Sequence, residues 1–140
     1  MGITGLVLRL HEQIYKRTDG RIGHRMIGVP TLLLRTTGRR SGATRTNGLV
    51  YARDGDDYLV VASKGGADQP PAWLHNLRAN PRVEIQVGRE RRKGTAKVVE
   101  ASDSDYERLW RIVNDNNQDR YSAYQKQTTR PIPVIVIAPT

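Results

Sequence analysis

The chain has 140 residues, a formal net charge of +9 and no cysteine. This length predicts one domain, and the lack of cysteine excludes disulfides, thiolate nucleophiles, Fe–S clusters and the usual structural zinc sites. The longest uncharged runs, residues 26–34 and 131–140, are far shorter than the ~20 apolar residues of a membrane-spanning helix. We therefore expect a cytoplasmic protein in a reducing compartment.

Positive charge is concentrated in the first third of the chain. Residues 1–45 contain nine Lys and Arg but only two acidic residues. Such a region can bind nucleic acid, an anionic membrane surface or a polyanionic small molecule, and charge alone does not choose among them. Because the chain lacks an RNA- or DNA-binding signature, no nucleic-acid partner is expected.

The first seventeen residues have apolar side chains at helical spacing, which predicts an amphipathic helix over residues 1–17 beside a single domain over residues 18–140. The apolar stripe consists of Ile3, Leu6, Val7, Leu10 and Ile14, with Arg9, Lys16 and Arg17 off it. The helix either packs on its own domain or lies on an anionic membrane, which would place the protein peripherally at the inner membrane surface. Both alternatives stay open at this point.

The first half of the domain is predicted to begin with a buried strand over residues 29–37 and a loop over residues 38–44. Residues 46–53 and 57–63 flank Asp54-Gly55, a dipeptide typical of a tight hairpin turn. A glycine-containing loop over residues 64–69 leads to a helix over residues 72–79, which Pro70-Pro71 opens.

The second half is predicted to contain strands over residues 82–87 and 94–101, joined by a charged turn over residues 89–93. Ser104 and Glu107 have capping-box spacing and predict a helix whose apolar stripe includes Tyr106 and Val113. Residues 114–127 are polar and break the helical period, and residues 132–138 form the last strand. The total is an α+β fold with about six mostly antiparallel strands, in a barrel or sheet with short inserted helices.

The sequence lacks the residue patterns of several common classes of catalytic site. His11, His24 and His75 are isolated from one another, so no metal site is expected. The signatures of serine hydrolases, P-loop proteins and Rossmann folds are also missing.

Two glycine-rich loops have the composition of anion-binding sites. Residues 38–42 place Arg39, Arg40 and Ser41 between glycines, and residues 63–66 (SKGG) follow a predicted strand. Backbone amides and cationic side chains in such loops converge on phosphate or carboxylate groups. Either loop alone is also compatible with a simple solvated turn.

Two pairs of residues are three positions apart, and the first pair, Trp73 and Asn76, shares one face of the predicted helix over residues 72–79. Trp73 and Asn76 can cover an aromatic ligand and bind its polar edge, or they are a core tryptophan and a capping asparagine. Tyr121 and Tyr124 can direct two phenols into one pocket, or they form part of an amphipathic wall.

The order of these motifs resembles that of the deazaflavin-dependent nitroreductase family over about residues 15–138. The matching positions are residues 28–34 (GVPTLLL), 38–42 (GRRSG), Arg45, Asp54-Gly55, residues 63–66, residues 71–73 (PAW), Asn76, Asn80-Pro81, Tyr121, Tyr124, Gln125, Thr128, Arg130 and residues 132–134 (IPV). The resemblance implies a split β-barrel that binds coenzyme F420, a deazaflavin hydride carrier with a phosphate and an oligoglutamate tail.

The resemblance also assigns roles to residues. The phosphate and tail would contact Arg39, Arg40, Ser41 and Arg45, while Ser63, Lys64, Gly65 and Gly66 would hold the phosphate side or the approach to the ring. Trp73 and Asn76 would line the cofactor site, and Tyr51, Tyr121 and Tyr124 would lie near the ring and the electron acceptor as the catalytic residues. The chain departs from the family at Gly48, where relatives usually have proline, and at Gln118, where relatives can have tyrosine on the substrate side.

The function implied is hydride transfer from reduced F420 to a small electron acceptor, such as a quinone or an activated nitro or enone compound. A proton would come from Tyr124 or from solvent. One alternative is a split barrel that binds FMN or haem. Another is a basic module that binds nucleic acid or a membrane surface without catalysis.

Overall fold

The computed structural model describes residues 29–140, so the predicted helix over residues 1–17 lies outside the described residues. Within residues 29–140 the chain forms seven strands and three helices. The strands are β1 (Thr31–Thr37), β2 (Thr44–Val50), β3 (Ala52–Asp54), β4 (Asp57–Val61), β5 (Arg82–Val87), β6 (Glu90–Val99) and β7 (Val134–Pro139). The helices are α1 (Ala72–Ala79), α2 (Tyr106–Asn116) and α3 (Arg120–Gln125), and a short 3₁₀ turn spans Lys64–Gly66.

The strands form one curled antiparallel sheet in the order β2-β1-β5-β6-β7-β4-β3. This half-barrel confirms the predicted split-barrel α+β fold. Four antiparallel pairings lead from β1 through β5, β6 and β7 to β4. Because each pairing reverses direction, β1 and β4 run the same way, and the chain leaves both strands at the same end of the sheet.

The two faces of the sheet bury separate apolar clusters, as the period of two along a strand requires. Tyr58 and Val60 of β4 point into the first cluster, here called the barrel core, which α1 closes with Trp73 and Leu77. The intervening β4 residues point into the second cluster, here called the helix-covered core, where α2 and α3 pack. β4 therefore contributes side chains to the cluster that contains α1 on one face and to the cluster that contains α2 and α3 on the other.

The predicted strand over residues 46–53 is wrong in one respect, because the chain divides there into β2 and β3 at opposite edges of the sheet. Tyr51 separates them. Its N–H donates to the carbonyl of Pro30 at 3.1 Å, and its own carbonyl accepts a bond from Asn116 Nδ2 at 2.9 Å. The Asp54-Gly55 hairpin is confirmed, since Asp54 pairs with Asp57.

The predicted charged turn over residues 89–93 is also wrong. Val87 pairs with Glu90, so Gly88 and Arg89 alone make the turn, and Gly88 supplies the positive φ of 60°. The charged residues that follow belong to β6, where Arg91 and Lys93 are exposed. An exposed strand face carries charge as easily as a turn does, so composition misplaced the boundary.

Two details near the C-terminal helices differ from expectation. The residue before α2 is Asp105, without a side-chain cap, so the predicted capping box of Ser104 and Glu107 does not form. The polar stretch after α2 contains the helix α3, which the sequence did not predict. Asn114 explains it, because its Oδ1 accepts the Ser122 N–H at 2.8 Å while its Nδ2 donates to the Trp110 carbonyl at 2.9 Å.

Candidate functional site

The first glycine-rich loop connects β1 to β2 and is closed by its own backbone. The Gly38 N–H donates to the Ala43 carbonyl at 2.7 Å, and the Gly42 N–H donates to the Gly38 carbonyl at 2.9 Å. The Ser41 hydroxyl accepts the Ala43 N–H at 3.1 Å, so it helps hold the loop's shape. The side chains of Arg39, Arg40 and Arg45 are exposed around this closed turn.

Asn76 of α1 supports this loop from the barrel side. Its Oδ1 accepts the backbone N–H of Arg39 at 3.1 Å, and its Nδ2 donates to Thr36 Oγ1 at 3.3 Å. Asn76 is buried, and Trp73, one turn earlier, is 4 % exposed in the barrel core. Both residues support the site from within, and direct contact of either with a cofactor stays a prediction.

The second loop, which follows β4, begins with one right-handed residue and continues with three residues of positive φ. Ser63 is right-handed helical with φ −83° and ψ −36°, and Lys64, Gly65 and Gly66 follow with φ of 46°, 64° and 85°. A right-handed residue followed by a left-handed one turns successive N–H groups to the same side, which creates an anion-binding concavity called a nest. The Ser63-Lys64 pair has this geometry.

The cations of the two loops form no ion pairs with the acidic side chains that the structure describes. Within residues 29–140, no carboxylate forms an ion pair with Arg39, Arg40 or Lys64. Both loops leave the sheet at the same end, and α1 connects them, since it begins just after the second loop and bonds to the first through Asn76. Among residues 29–140, this end therefore presents a backbone nest together with exposed cations that form no ion pair.

The structure brings two of the three predicted tyrosines together. The rings of Tyr121 and Tyr124 meet edge to face at 6.3 Å in the helix-covered core. Burial raises the pKa of Tyr121 to about 12, against a smaller lowering effect of a hydrogen bond from Asn117. Tyr51 instead packs against Tyr58 at 5.4 Å in the barrel core. Its ring therefore belongs to a different cluster from the other two.

Residues that follow α3 hold the second loop, although the sequence assigned them no role. Arg130 donates to three backbone carbonyls of this loop, those of Ala62, Ser63 and Ala67. Gly66 lies against the backbone of Tyr124. The only sequence signal was that Thr128 and Arg130 belong to the positions that match the family motif. Their partners, Asp68 and the Ala67 carbonyl, lie about sixty positions earlier in the chain.

Comparison with known proteins decides the family. Residues 7–139 match the F420H(2)-dependent quinone reductase family. The chain belongs to this family. An F420H(2)-dependent quinone reductase of Mycobacterium tuberculosis is 59 % identical over 132 residues, which cover 94 % of this chain and 89 % of the relative. The predicted F420-dependent oxidoreductase is thereby confirmed, in place of a binding module without catalysis.

Two solved structures agree with the fold. An F420-H2 dependent reductase superposes with a TM-score of 0.69 at 35 % identity, covering 77 % of this chain and 93 % of that one. A second structure, a domain-swapped dimer, has a TM-score of 0.71 at 31 % identity and covers 97 % and 99 % of the two chains. Family membership rests on the family match and on the 59 % identical relative, and the two solved structures support the fold.

The described residues fit the cofactor of this family. F420 has an anionic phosphate and an oligoglutamate tail, which suit a backbone nest and cations that form no ion pair with the described carboxylates.

The part of the chain that the structure describes contains no helix long and apolar enough to cross a membrane.

Proposed function

We propose that this protein binds reduced F420 at the end of the sheet where its two cationic loops emerge and uses it to reduce a quinone. The observation that carries the proposal is the Ser63-Lys64 nest, which lies at the same end as Arg39 and Arg40. A nest binds one phosphate, and nearby guanidinium groups bind carboxylates in pairs of hydrogen bonds. These are the two kinds of anion that F420 has.

The chain's own residues bind and orient, while the bound cofactor supplies the hydride. Lys64 and the nest would hold the phosphate, and Arg39, Arg40 and Arg45 would hold the tail. Ser41 and Asn76 would keep the first loop in shape through the hydrogen bonds described above. With the phosphate and the tail both held, the ring would lie within the cofactor's own reach of the two loops.

A quinone becomes a hydroquinone when it takes up one hydride and one proton, so the protein needs a proton donor near the acceptor. Tyr124 is half-buried and in contact with the buried Tyr121. A neutral phenol can donate a proton to a developing quinol oxygen. We assign the donor role to Tyr124, which solvent would reprotonate. Tyr121 would hold its ring, and its raised pKa keeps it neutral.

FMN is the second candidate cofactor, since it also has a phosphate. It has no oligoglutamate tail, so it leaves Arg39, Arg40 and Arg45 without a ligand. Nitro and enone compounds are further candidate acceptors, because they also accept a hydride and a proton. Quinones are favoured by the family to which the chain belongs.

The sequence of residues 1–17 supports a proposal about where the quinone is met. Its apolar stripe and basic flank suit an anionic bilayer surface, where a lipid-soluble quinone resides. The full chain should then sediment with anionic vesicles at low salt and remain in solution with neutral ones. If it ignores anionic vesicles at low salt, the helix belongs to the domain and the acceptor is a soluble molecule.

Single-turnover kinetics test the proposed activity. Reduced F420 is bound to excess protein without oxygen and then mixed with a soluble short-chain benzoquinone. We expect oxidation of F420 and formation of one hydroquinone per F420, at a rate far above that of the mixture without protein. A rate equal to the protein-free mixture would contradict the proposal.

A further inference from the structure

We infer that Arg130 is a positioning residue that fixes the Ser63–Gly66 loop in its anion-binding form. This inference rests on the proposed function of that loop. The guanidinium donates from Nε to the Ala67 carbonyl at 2.8 Å, from Nη1 to the Ala62 carbonyl at 3.2 Å and from Nη2 to the Ser63 carbonyl at 2.8 Å. One planar group thus binds both ends of the loop.

The geometry of the peptide bond explains why these contacts matter. In a trans peptide the N–H points opposite to the carbonyl of the preceding residue. Because Arg130 draws the carbonyls of Ala62 and Ser63 towards itself, the N–H groups of Ser63 and Lys64 point away from it. Those are two successive N–H groups of the nest. The guanidinium therefore sets the direction in which the nest opens.

Arg130 also contributes charge. Burial lowers its pKa, while the nearby Asp68 raises it by a smaller amount. Asp68 accepts a hydrogen bond from Thr128 Oγ1 at 2.8 Å, and no carboxylate of residues 29–140 forms an ion pair with Arg130. The three loop carbonyls that accept its hydrogen bonds stabilise the charged guanidinium, so its positive charge adds to the positive electrostatic potential at the nest.

Gln125 connects this arrangement to the tyrosine helix. Its Nε2 donates to the Arg130 carbonyl at 2.8 Å, and its Oε1 accepts the Ile132 N–H at 2.9 Å. Gln125 is the last residue of α3 and follows Tyr124 directly. These bonds fix the position of Arg130 relative to the Ser63–Gly66 loop and to α3, the helix that carries the proposed proton donor.

The test compares Arg130→Lys, which keeps the charge and loses the planar fork, with Arg130→Met, which loses both. Arg53→Met is a matched control, because Arg53 also donates to backbone carbonyls, those of Asp57 and Gly55 in the β3–β4 turn. We expect both Arg130 variants to raise the KM for reduced F420 about tenfold or more. The KM for quinone should change less than twofold, and Arg53→Met should leave both values unchanged.

Amide hydrogen exchange in the cofactor-free protein gives a readout that does not depend on activity. In Arg130→Lys, the Gly66 and Ala67 amides should exchange about tenfold faster than in the wild type, while β5 and β6 amides stay unchanged. Wild-type affinity for F420 in Arg130→Lys, or unchanged loop exchange in that variant, would overturn the role of the fork. Wild-type protein that does not bind F420 would instead overturn the proposed function. The exchange result would still decide whether Arg130 fixes the loop.

Discussion

Gly66 lies so close to Tyr124 that no side chain fits between them. A Cβ on Gly66 would be 2.8 Å from the Tyr124 carbonyl oxygen, and Gly66 has a φ of 85°. The proposed phosphate loop therefore rests directly on the helix that carries the proposed proton donor. A displacement of one should move the other.

Replacing Gly66 with alanine should displace α3, whereas the same change at Gly65 should only strain the backbone. Gly65 has a φ of 64°, and among the described residues no atom beyond its chain neighbours lies within 4 Å of the place that an alanine methyl would take there. Gly65→Ala should therefore lower the free energy of unfolding by about 1 kcal/mol, the usual cost of a left-handed alanine. Gly66→Ala adds a clash with the Tyr124 backbone, so it should lower the free energy of unfolding by clearly more than about 1 kcal/mol. It should also slow quinone reduction. Urea unfolding of the two variants measures the difference, and equal stabilities would contradict the close packing.

Arg40 and Lys64 are predicted to anchor the cofactor from separate loops. Replacing either with alanine should weaken F420 binding by about 1.5 to 3 kcal/mol, which is roughly tenfold or more in the dissociation constant. Folding should survive, because both side chains are exposed. Arg89→Ala is the matched control, since Arg89 is an exposed cation in the β5–β6 turn, outside both loops. Unchanged affinity in both loop variants would make these loops ordinary solvated turns.

Tyr124→Phe should slow quinone reduction by about a hundredfold, the lower end of what a general acid contributes. F420 affinity should change little, because the phenol acts on the acceptor. Tyr121→Phe serves as the comparison and should have a much smaller effect, since Tyr121 is buried behind Tyr124. A larger loss in Tyr121→Phe than in Tyr124→Phe would reverse the two assigned roles.

Acid should weaken the contact between the β3–β4 hairpin and α2. Hydrogen bonds from Arg108 hold the pKa of Asp54 below its ordinary value of 3.8. A carboxyl with a lowered pKa stabilises the fold above the unfolded value, and this contribution is lost as the pH falls through the folded pKa. Asp54→Asn should thus be less stable than wild type near neutral pH, by at most about 1 kcal/mol for so exposed a pair. The two proteins should converge in strong acid, and a constant difference across pH would contradict the assignment.

Local patterns predicted the elements that local interactions determine. The helix over residues 72–79 begins after two prolines, and the strand over residues 82–87 follows Asn80-Pro81; both have the predicted bounds. The break at Tyr51 was not predictable, because its causes are bonds to Pro30 and Asn116, and the latter is 65 positions away. The same holds for α3, whose start depends on Asn114 of the preceding helix.

The candidate site divides in the same way. The composition of the two loops, rich in glycine, arginine and lysine, predicted an anion site. The structure adds the backbone nest of Ser63-Lys64, and anion binding there stays a prediction. Helical spacing could not tell whether Trp73 faces a ligand or the interior, and the structure places it in the barrel core. Arg130 acts on carbonyls up to 68 positions earlier, so only the folded chain indicates what it does.

Calorimetric titration of the wild-type protein with F420 and with FMN, at the same salt concentration, tests the cofactor assignment most directly. The nest and the cationic first loop together predict tight binding of F420, much weaker binding of FMN and a steeper salt dependence for F420. FMN binding as tight as that of F420, or tighter, would contradict the assignment of both loops.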